Sequence, residues 1–152
     1  MRKQALALFR RLPDPARRVV VHAATPSYTV GAVAVLRRAD GRLALVRQRH
    51  SLGWALPGGL LGRGESAGQG LVREIAEELG IILDADALPI PYAAVNSVAR
   101  RVDVVYFLDA PAGAKLHSED DVEVTGTGWF ALDKLPEVSE PTAEILRAVR
   151  LL

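Results

Sequence analysis

The chain of 152 residues contains no cysteine, which excludes disulfide bonds, thiolate metal sites and a cysteine nucleophile. It also lacks a run of about twenty apolar residues, the length that a helix needs to cross a membrane. The apolar stretch at residues 5–9 is too short for the hydrophobic region of a signal peptide. A net charge of only +1 argues against a dedicated nucleic-acid-binding protein. These absences predict a cytoplasmic protein that binds neither membranes nor nucleic acids.

The composition that remains is typical of a globular protein. With 49% hydrophobic and 24% charged residues, the chain can bury one substantial core. No repeat, low-complexity tract or linker divides it. We therefore expect a single domain over residues 1–152, with a helical N-terminal extension over residues 1–20 and a C-terminal helix over residues 141–152.

The N-terminal extension is basic, with six Lys or Arg among its twenty residues. Leu6, Phe9 and Leu12 would share one face of a short amphipathic helix, which Pro13 and Pro15 are expected to end. Packing of this helix on the domain or at a homodimer contact is favoured over attachment to a membrane or to RNA, because five contiguous apolar residues form a weak anchor.

Two strands are predicted ahead of a glycine-rich stretch. Residues 29–36 form a nearly continuous apolar run, typical of a strand that is buried on both faces. An Asp-Gly dipeptide then predicts a tight turn, after which residues 43–48 return as a second strand. Arg47 and Arg49 would emerge on one side of this strand, where guanidinium groups could contact substrate phosphates, and a plain surface position is the alternative.

The stretch from Gly59 to Ile81 carries the strongest local signals. The glycines at positions 58, 59, 62 and 64 predict a loop with backbone conformations that other residues rarely adopt. Ser66 then resembles a helix N-cap, Gln69 would complete a capping box, and Gly80 is placed for a left-handed C-terminal cap. The pattern predicts a loop followed by a helix of about fourteen residues.

One face of this helix is acidic. At about 100° per residue, Glu74, Glu77 and Glu78 lie on one arc beside an apolar core face. Glu74 and Glu78 repel each other at i and i+4, and the helix dipole disfavours negative charge in the C-terminal half. A solvated surface is the ordinary explanation, but a divalent cation would turn the repulsion into attraction. Such oxygen ligands suit Mg²⁺ or Mn²⁺.

Two glycines, Gly68 and Gly70, lie inside the same helix, although each costs up to about 1 kcal/mol relative to alanine. Gly70 falls on the acidic arc. We expect its missing side chain to let the glycine-rich loop or a ligand approach the helix.

The spacing from Gly59 to Ile81 resembles the signature of the Nudix hydrolase family at every defined position. The signature comprises Gly59, five residues, Glu65, seven residues, and then Arg73-Glu74-Ile75-x-Glu77-Glu78-x-Gly80-Ile81. Before it, Trp54-x-Leu56-Pro57-Gly58 resembles the family's usual lead-in, and residues 129–136 resemble its C-terminal strand and turn. The resemblance implies an α+β fold, the Nudix-type α/β/α sandwich with a mixed β-sheet between helices.

The resemblance also implies an activity, namely Mg²⁺- or Mn²⁺-dependent hydrolysis of the diphosphate bond of a nucleoside diphosphate linked to another moiety. The substrate would be of the nucleoside triphosphate, ADP-ribose or nucleotide-sugar type. One alternative is a non-catalytic nucleotide-sensing Nudix module, which commonly loses the glutamates of the signature. Another is an isomerase of the isopentenyl diphosphate type, which uses a cysteine. Because the signature is intact and cysteine is absent, a Nudix pyrophosphohydrolase is expected.

Roles carry over from the family to individual residues. The catalytic residues would be Arg73, Glu74, Glu77 and Glu78, with Glu74 as a ligand or general base and Arg73 orienting the glutamates. The metal ligands would be the Gly59 carbonyl and the side chains of Glu65, Glu74, Glu77 and Glu78. One further acid would come from outside the signature, from among Glu119, Asp120, Asp121 and Glu123. Of these four candidates, Glu119 and Glu123 are favoured. Substrate contacts would come from Arg47, Arg49, Gly58, Gly59 and Arg101, with Arg100, His50 and Trp54 as further candidates.

The C-terminal half predicts the remaining elements. Prolines make the strand within residues 87–98 start late or lie at an edge, and residues 101–108 alternate as a clear strand. Residues 129–132 would form a short last strand. The helix that begins near Pro141 would carry one apolar face, formed by Ile145, Leu146, Val149 and Leu152. The features that mark ADP-ribose or dinucleoside polyphosphate subfamilies are absent, so the substrate is left open.

Overall fold

The computed structural model describes residues 9–119 and 122–152. The strands are β1 (Thr29–Arg37), β2 (Leu43–Gln48), β3 (Gly58–Leu60), β4 (Tyr92–Asn96), β5 (Arg101–Asp109) and β6 (Val124–Phe130). The helices are α1 (Asp14–Ala24), α2 (Ala67–Leu79) and α3 (Glu140–Ala148), and residues 9–11 are also helical. Within these described ranges, no helix combines the length and apolar character needed to cross a bilayer.

The strands form one mixed sheet in the order β4-β5-β1-β2-β6, with β3 paired to β1. Strand β1 runs parallel to β5 along its whole length, from Thr29 opposite Arg101 to Arg37 opposite Asp109. The register of β1 with β2 is confined to its last residue, Arg37. The edge that this leaves on β1 is taken by β3, which pairs antiparallel to it. This break in the sheet creates the space in which the glycine-rich stretch meets β1.

Helices pack on both faces of the sheet, as the family resemblance implies. On one face, Leu71, Ile75 and Leu79 of α2 are completely buried against alternate residues of β1 and β2. On the other face, Ile145 and Leu146 of α3 pack in the core formed by the intervening residues of the same strands. The double-sided burial of β1 that its continuous apolar run predicted is therefore confirmed.

Several boundaries agree with the sequence-based expectations. Strand β2 has the predicted limits, and α2 has 13 residues. Strand β4 starts only at Tyr92 and lies at the edge of the sheet, as the prolines before it predicted. Strand β5 extends the predicted strand by one residue, to Asp109.

The last strand begins earlier than predicted, at Val124 instead of Trp129, and Leu132 lies in a short 3₁₀ turn. Its first half alternates threonine and glycine, so the sequence carries no apolar period there. Pairing with β2 keeps this segment extended, and the aromatic rings of Trp54 and Phe130 come within contact distance of positions 126 and 128, where glycine has no side chain. The pairing with β2 and the Trp54 contact join residues that are far apart in the sequence, which a local pattern cannot show.

The two terminal helices also differ from expectation. The helix before Pro13 ends as predicted, but Pro15 does not end a helix, since it lies in the first turn of α1, where a missing N–H costs nothing. At the other end, α3 stops at Ala148 instead of reaching residue 152, so Val149 and Leu152 of the predicted apolar face lie beyond it. Leu152 is 55% exposed. Leu6 of the predicted amphipathic face lies outside the described residues.

Candidate active site

Helix α2 is capped at both ends as the sequence predicted. The Gln69 N–H donates to Ser66 Oγ at 3.3 Å, and the Ser66 N–H donates to Gln69 Oε1 at 3.0 Å. Gly80 is left-handed, with φ of 66°, and its N–H donates to the Ala76 carbonyl. With its ends capped and its apolar face buried, the helix directs its acidic face towards β3.

A cleft of about 850 Å³ opens beside that acidic face. It is bounded by the loop before α2, by the second half of α2, by β3 and by parts of β1, β2, β5 and α3. Among the predicted site residues, the cleft is lined by Gly58, Gly59, Glu65, Arg73, Glu74, Glu77, Glu78, Arg101 and Glu123. The fold therefore gathers one acidic cluster from segments that are distant in the sequence.

At three positions, neighbouring atoms approach the backbone so closely that a side chain would not fit without a shift. A Cβ at Gly58, where φ is 135°, would lie 2.2 Å from the Ala32 carbonyl oxygen. A Cβ at Gly59 would lie 2.3 Å from Glu74 Oε1, so the Glu74 carboxylate lies directly over the Gly59 backbone. At Gly70 a Cβ would lie 2.6 Å from the Leu61 side chain, which confirms that the loop approaches the helix at this position. The loop itself differs from expectation, because Gly58 and Gly59 belong to strand β3.

Glu78 is the most buried acid of the cleft, with 4% of its surface exposed. Its Oε2 accepts the Gly58 N–H at 2.8 Å, and its Oε1 accepts the Gln48 side-chain amide at 2.8 Å. Burial raises the pKa of Glu78 to about 7, against these two hydrogen bonds, and the nearby charges of Glu74 and Glu123 raise it further. Glu78 is thus held in one position by donors that do not neutralise its charge.

Arg73 is the cation at the centre of the cluster. Its Nη1 donates to Glu74 Oε1 at 2.9 Å and to Glu77 Oε2 at 3.2 Å, and its Nε donates to Glu65 Oε1 at 3.0 Å. Hydrogen bonding to Arg73 lowers the pKa of Glu65, whereas burial raises the pKa of Glu74 in spite of the same guanidinium. Arg73 therefore orients three glutamates, as its family role implies, and leaves Glu78 to other donors.

Of the acids outside the signature, Glu123 reaches the cleft and Glu119 does not. Glu123 lines the cleft beside His50, whose Nδ1 lies 3.4 Å from Glu123 Oε1. Glu119 is exposed and contacts α2 through its backbone N–H, which donates to the Glu77 carbonyl. Asp120 and Asp121, the remaining candidates, lie outside the described residues.

Arg47 and Arg49 do not line the cleft, and both are exposed, which fits the alternative of a plain surface position. Gln48 at the end of β2 and His50 just after it line the cleft. Arg49 donates through Nε to the Val122 carbonyl. The alternation of the strand was recognised, but the sequence could not show which of its two faces meets the site. Gln48, which the sequence analysis missed, is the side chain that contacts Glu78.

On strand β5, Arg101 lies in the cleft as predicted, and it is accompanied by Asp103, which sequence reasoning missed. The Arg101 Nε donates to Asp103 Oδ2 at 2.6 Å. The available signal was two charged residues at i and i+2 on one face of an otherwise apolar strand. Arg100 is exposed in the turn before β5. The Trp54 ring packs edge-to-face on Phe130, with 4.7 Å between the ring centroids, instead of presenting a free face.

Comparison with known proteins bears on this site. A NUDIX domain model matches residues 27–149, which include every cleft residue described above. The chain belongs to the Nudix family. The predicted enzyme class, a Nudix pyrophosphohydrolase acting on phosphoanhydride bonds, is confirmed with it.

Three relatives illustrate the Nudix similarity. A MutT-like protein of Streptomyces ambofaciens is 35% identical over 127 residues, covering 84% of this chain and 77% of the relative. An ADP-ribose pyrophosphatase of Methanocaldococcus jannaschii is 29% identical over 113 residues, covering 71% and 65% respectively. Among solved structures, a MutT NUDIX hydrolase from Burkholderia pseudomallei is 31% identical with a TM-score of 0.67, over 82% of this chain and 99% of the other.

The Nudix fold implies a divalent cation, so the donor set can be tested against one. Among the described residues, no three carboxyl groups converge into a ready-made metal site. Arg73 accounts for this, because it draws Glu74 and Glu77 towards itself. The donors nevertheless fit a hard cation, since the cluster offers carboxylate oxygens beside the Gly59 backbone. Glu77, with 51% of its side chain exposed, has room to turn from Arg73 into the cleft.

Proposed function

We propose that this Nudix hydrolase is a divalent-metal-dependent enzyme that cleaves the diphosphate of a nucleoside diphosphate linked to another moiety. The observation that carries the proposal is the buried position of Glu78 in a cleft that also contains Glu74 and Glu123. Burial raises the pKa of Glu78, and the negative charges of Glu74 and Glu123 raise it further. A buried excess of carboxylate is costly without a cation. A metal ion would supply the missing positive charge and a reason for the cluster.

The proposed ligands are Glu77 and Glu78, with Glu65, Glu123 and the Gly59 carbonyl completing the set. When bound, Mg²⁺ or Mn²⁺ would neutralise the diphosphate and lower the pKa of the attacking water. Gln48 and the Gly58 N–H would keep Glu78 in place, since they contact both of its oxygens. Such supporting hydrogen bonds orient ligands in metal sites generally.

Hydrolysis requires that a water oxygen bond to one phosphorus while the bridging phosphorus–oxygen bond breaks, and the water must lose a proton to a base. We assign this base to Glu74, which lies over Gly59 and is oriented by Arg73. Burial raises the pKa of Glu74, and a carboxylate with a raised pKa accepts a proton more readily. Arg101 on the opposite side of the cleft would contact a phosphate.

Glu78→Gln tests the metal assignment. The amide keeps the shape of the side chain but removes its charge, and a bound metal supplies several kcal/mol of transition-state stabilisation. We therefore expect kcat/KM to fall by roughly two to four orders of magnitude. The measurement is product release from a panel of nucleoside triphosphates and nucleoside diphosphate sugars with Mg²⁺, with Mn²⁺ and with EDTA.

Glu140→Gln provides the matched control, because this substitution removes the same charge at an exposed position on α3. Its activity should stay within about twofold of the unmodified protein, an energy difference below 0.5 kcal/mol or so. Full activity of the Glu78→Gln variant, or full activity in EDTA, would contradict the metal assignment. The homodimer, the cytoplasmic location and the single domain over residues 1–152 stay predictions.

A further inference from the structure

A second cavity, of about 320 Å³, adjoins the active-site cleft. It lies between β4, β5 and α3, and it shares Arg101, Asp103 and Ile145 with the cleft. Its volume is at the lower end of the range for small-molecule sites. A ligand that starts at the acidic cluster and continues past Arg101 and Asp103 would therefore enter this cavity.

Gly31 on β1 lines the cleft beside Asp103, which the cleft and the cavity share. A Cβ at this position would lie 3.0 Å from the Gly59 carbonyl oxygen and 3.1 Å from Asp103 Oδ1. The Gly59 carbonyl and the Asp103 carboxylate thus face each other across the gap that Gly31 leaves. Asp103 marks the end of the cavity that is nearest to the proposed diphosphate site.

Two carboxylates supply the polar chemistry of the cavity. Asp103 is 7% exposed, and its Oδ2 accepts the Arg101 Nε. On α3, Glu144 Oε2 accepts the Asn96 side-chain amide at 2.8 Å. Among the described residues, no donor is within hydrogen-bonding geometry of the other oxygen of either carboxylate. Those two oxygens are available to a ligand that donates hydrogen bonds.

The charges of the residues that line the second cavity indicate which kind of ligand it favours. Among the described residues that line the cavity, the acids Asp103 and Glu144 outnumber the cation Arg101. The cavity therefore disfavours a further phosphate and favours a neutral group with several hydroxyl donors. Tyr92, half exposed at the rim, adds a ring on which the apolar face of a sugar can pack. We propose that this cavity binds the sugar joined to the distal phosphate of a nucleoside diphosphate sugar. The assignment rests on the proposed function and names its substrate class.

Glu144→Gln is the first test, because Glu144 lines this cavity and not the catalytic cleft. Hydrolysis of ADP-ribose and UDP-glucose is compared with hydrolysis of ATP and dGTP, which lack the distal sugar. We expect KM for the two sugar nucleotides to rise about tenfold with little change in kcat, as for loss of a hydrogen bond to a charged group. The ratio of kcat/KM between ADP-ribose and ATP should fall by about the same factor.

Ala148→Phe is the second test, since it fills the cavity from an exposed position at the end of α3. It should lower the same ratio without lowering the thermal unfolding midpoint, and Glu140→Gln should leave the ratio unchanged. An unaltered ratio in both variants, or an equal loss on both substrate classes, would overturn the subsite. So would a protein that hydrolyses only nucleoside triphosphates, whereas failure to hydrolyse any nucleotide would overturn the proposed function instead.

Discussion

Single residues shape this site as much by missing side chains as by present ones. Gly58 and Gly59 are adjacent, but the atoms that a side chain would meet are different in kind. At Gly58 the obstacle is the backbone of Ala32, whereas at Gly59 it is the end of the Glu74 side chain. Backbone cannot move without disturbing the sheet, while a carboxylate can rotate away.

Alanine substitutions at the two positions should therefore affect different properties, activity at Gly59 and stability at Gly58. Gly59→Ala is expected to move the Glu74 carboxylate and lower kcat/KM by about tenfold or more, with a free energy of unfolding changed by less than roughly 1 kcal/mol. Gly58→Ala combines a backbone clash with a φ of 135° and should cost more than about 2 kcal/mol. Urea unfolding and steady-state kinetics measure the two effects. Equal destabilisation by both variants would contradict the geometry.

At the level of elements, the position of α2 decides where the acids lie. Its capping box fixes the first turn, and its apolar residues fix its rotation about the axis, so Glu74 and Glu78 have one orientation relative to β3. Strand β3 contributes the Gly58 N–H to Glu78 and the Gly59 backbone under Glu74. The site is thus a contact between one helix and one short strand, both anchored on β1.

Removing the cap should loosen this contact. Ser66→Ala deletes the acceptor for the Gln69 N–H and is expected to reduce the free energy of unfolding by about 1 kcal/mol. Ser66→Asn retains a capping acceptor and should cost only a few tenths of that. Chemical denaturation of the three proteins provides the comparison. An alanine variant as stable as the asparagine variant would show that the cap contributes nothing.

The whole molecule should respond to pH through the buried acid. In the metal-free protein the pKa of Glu78 is about 7, against an unfolded value of 4.5. Between these two values the folded state binds more protons than the unfolded state, so the free energy of unfolding falls as the pH rises. The loss due to Glu78 across this window is up to roughly 3 kcal/mol. Burial raises the pKa of Glu74 as well, which adds an effect of the same sign.

Urea unfolding in EDTA from pH 4.5 to pH 7.5 measures this dependence. Glu78→Gln cannot ionise at this position and should show a flatter profile. If that variant kept the full slope, the loss of stability would belong to other groups.

Local patterns were sufficient to predict those elements whose signals come from neighbouring residues. The capping box, the left-handed Gly80, the acidic arc and the alternation of β5 all follow from neighbouring residues, and they fixed α2 and the family resemblance. Features that depend on contacts between distant residues became visible only in the folded protein. Gln48 instead of Arg47 faces the cleft, Glu123 instead of Glu119 reaches it, and Asp103 lies across from Gly59. Periodicity gives the two faces of an element, but only packing against other elements decides which face meets the site.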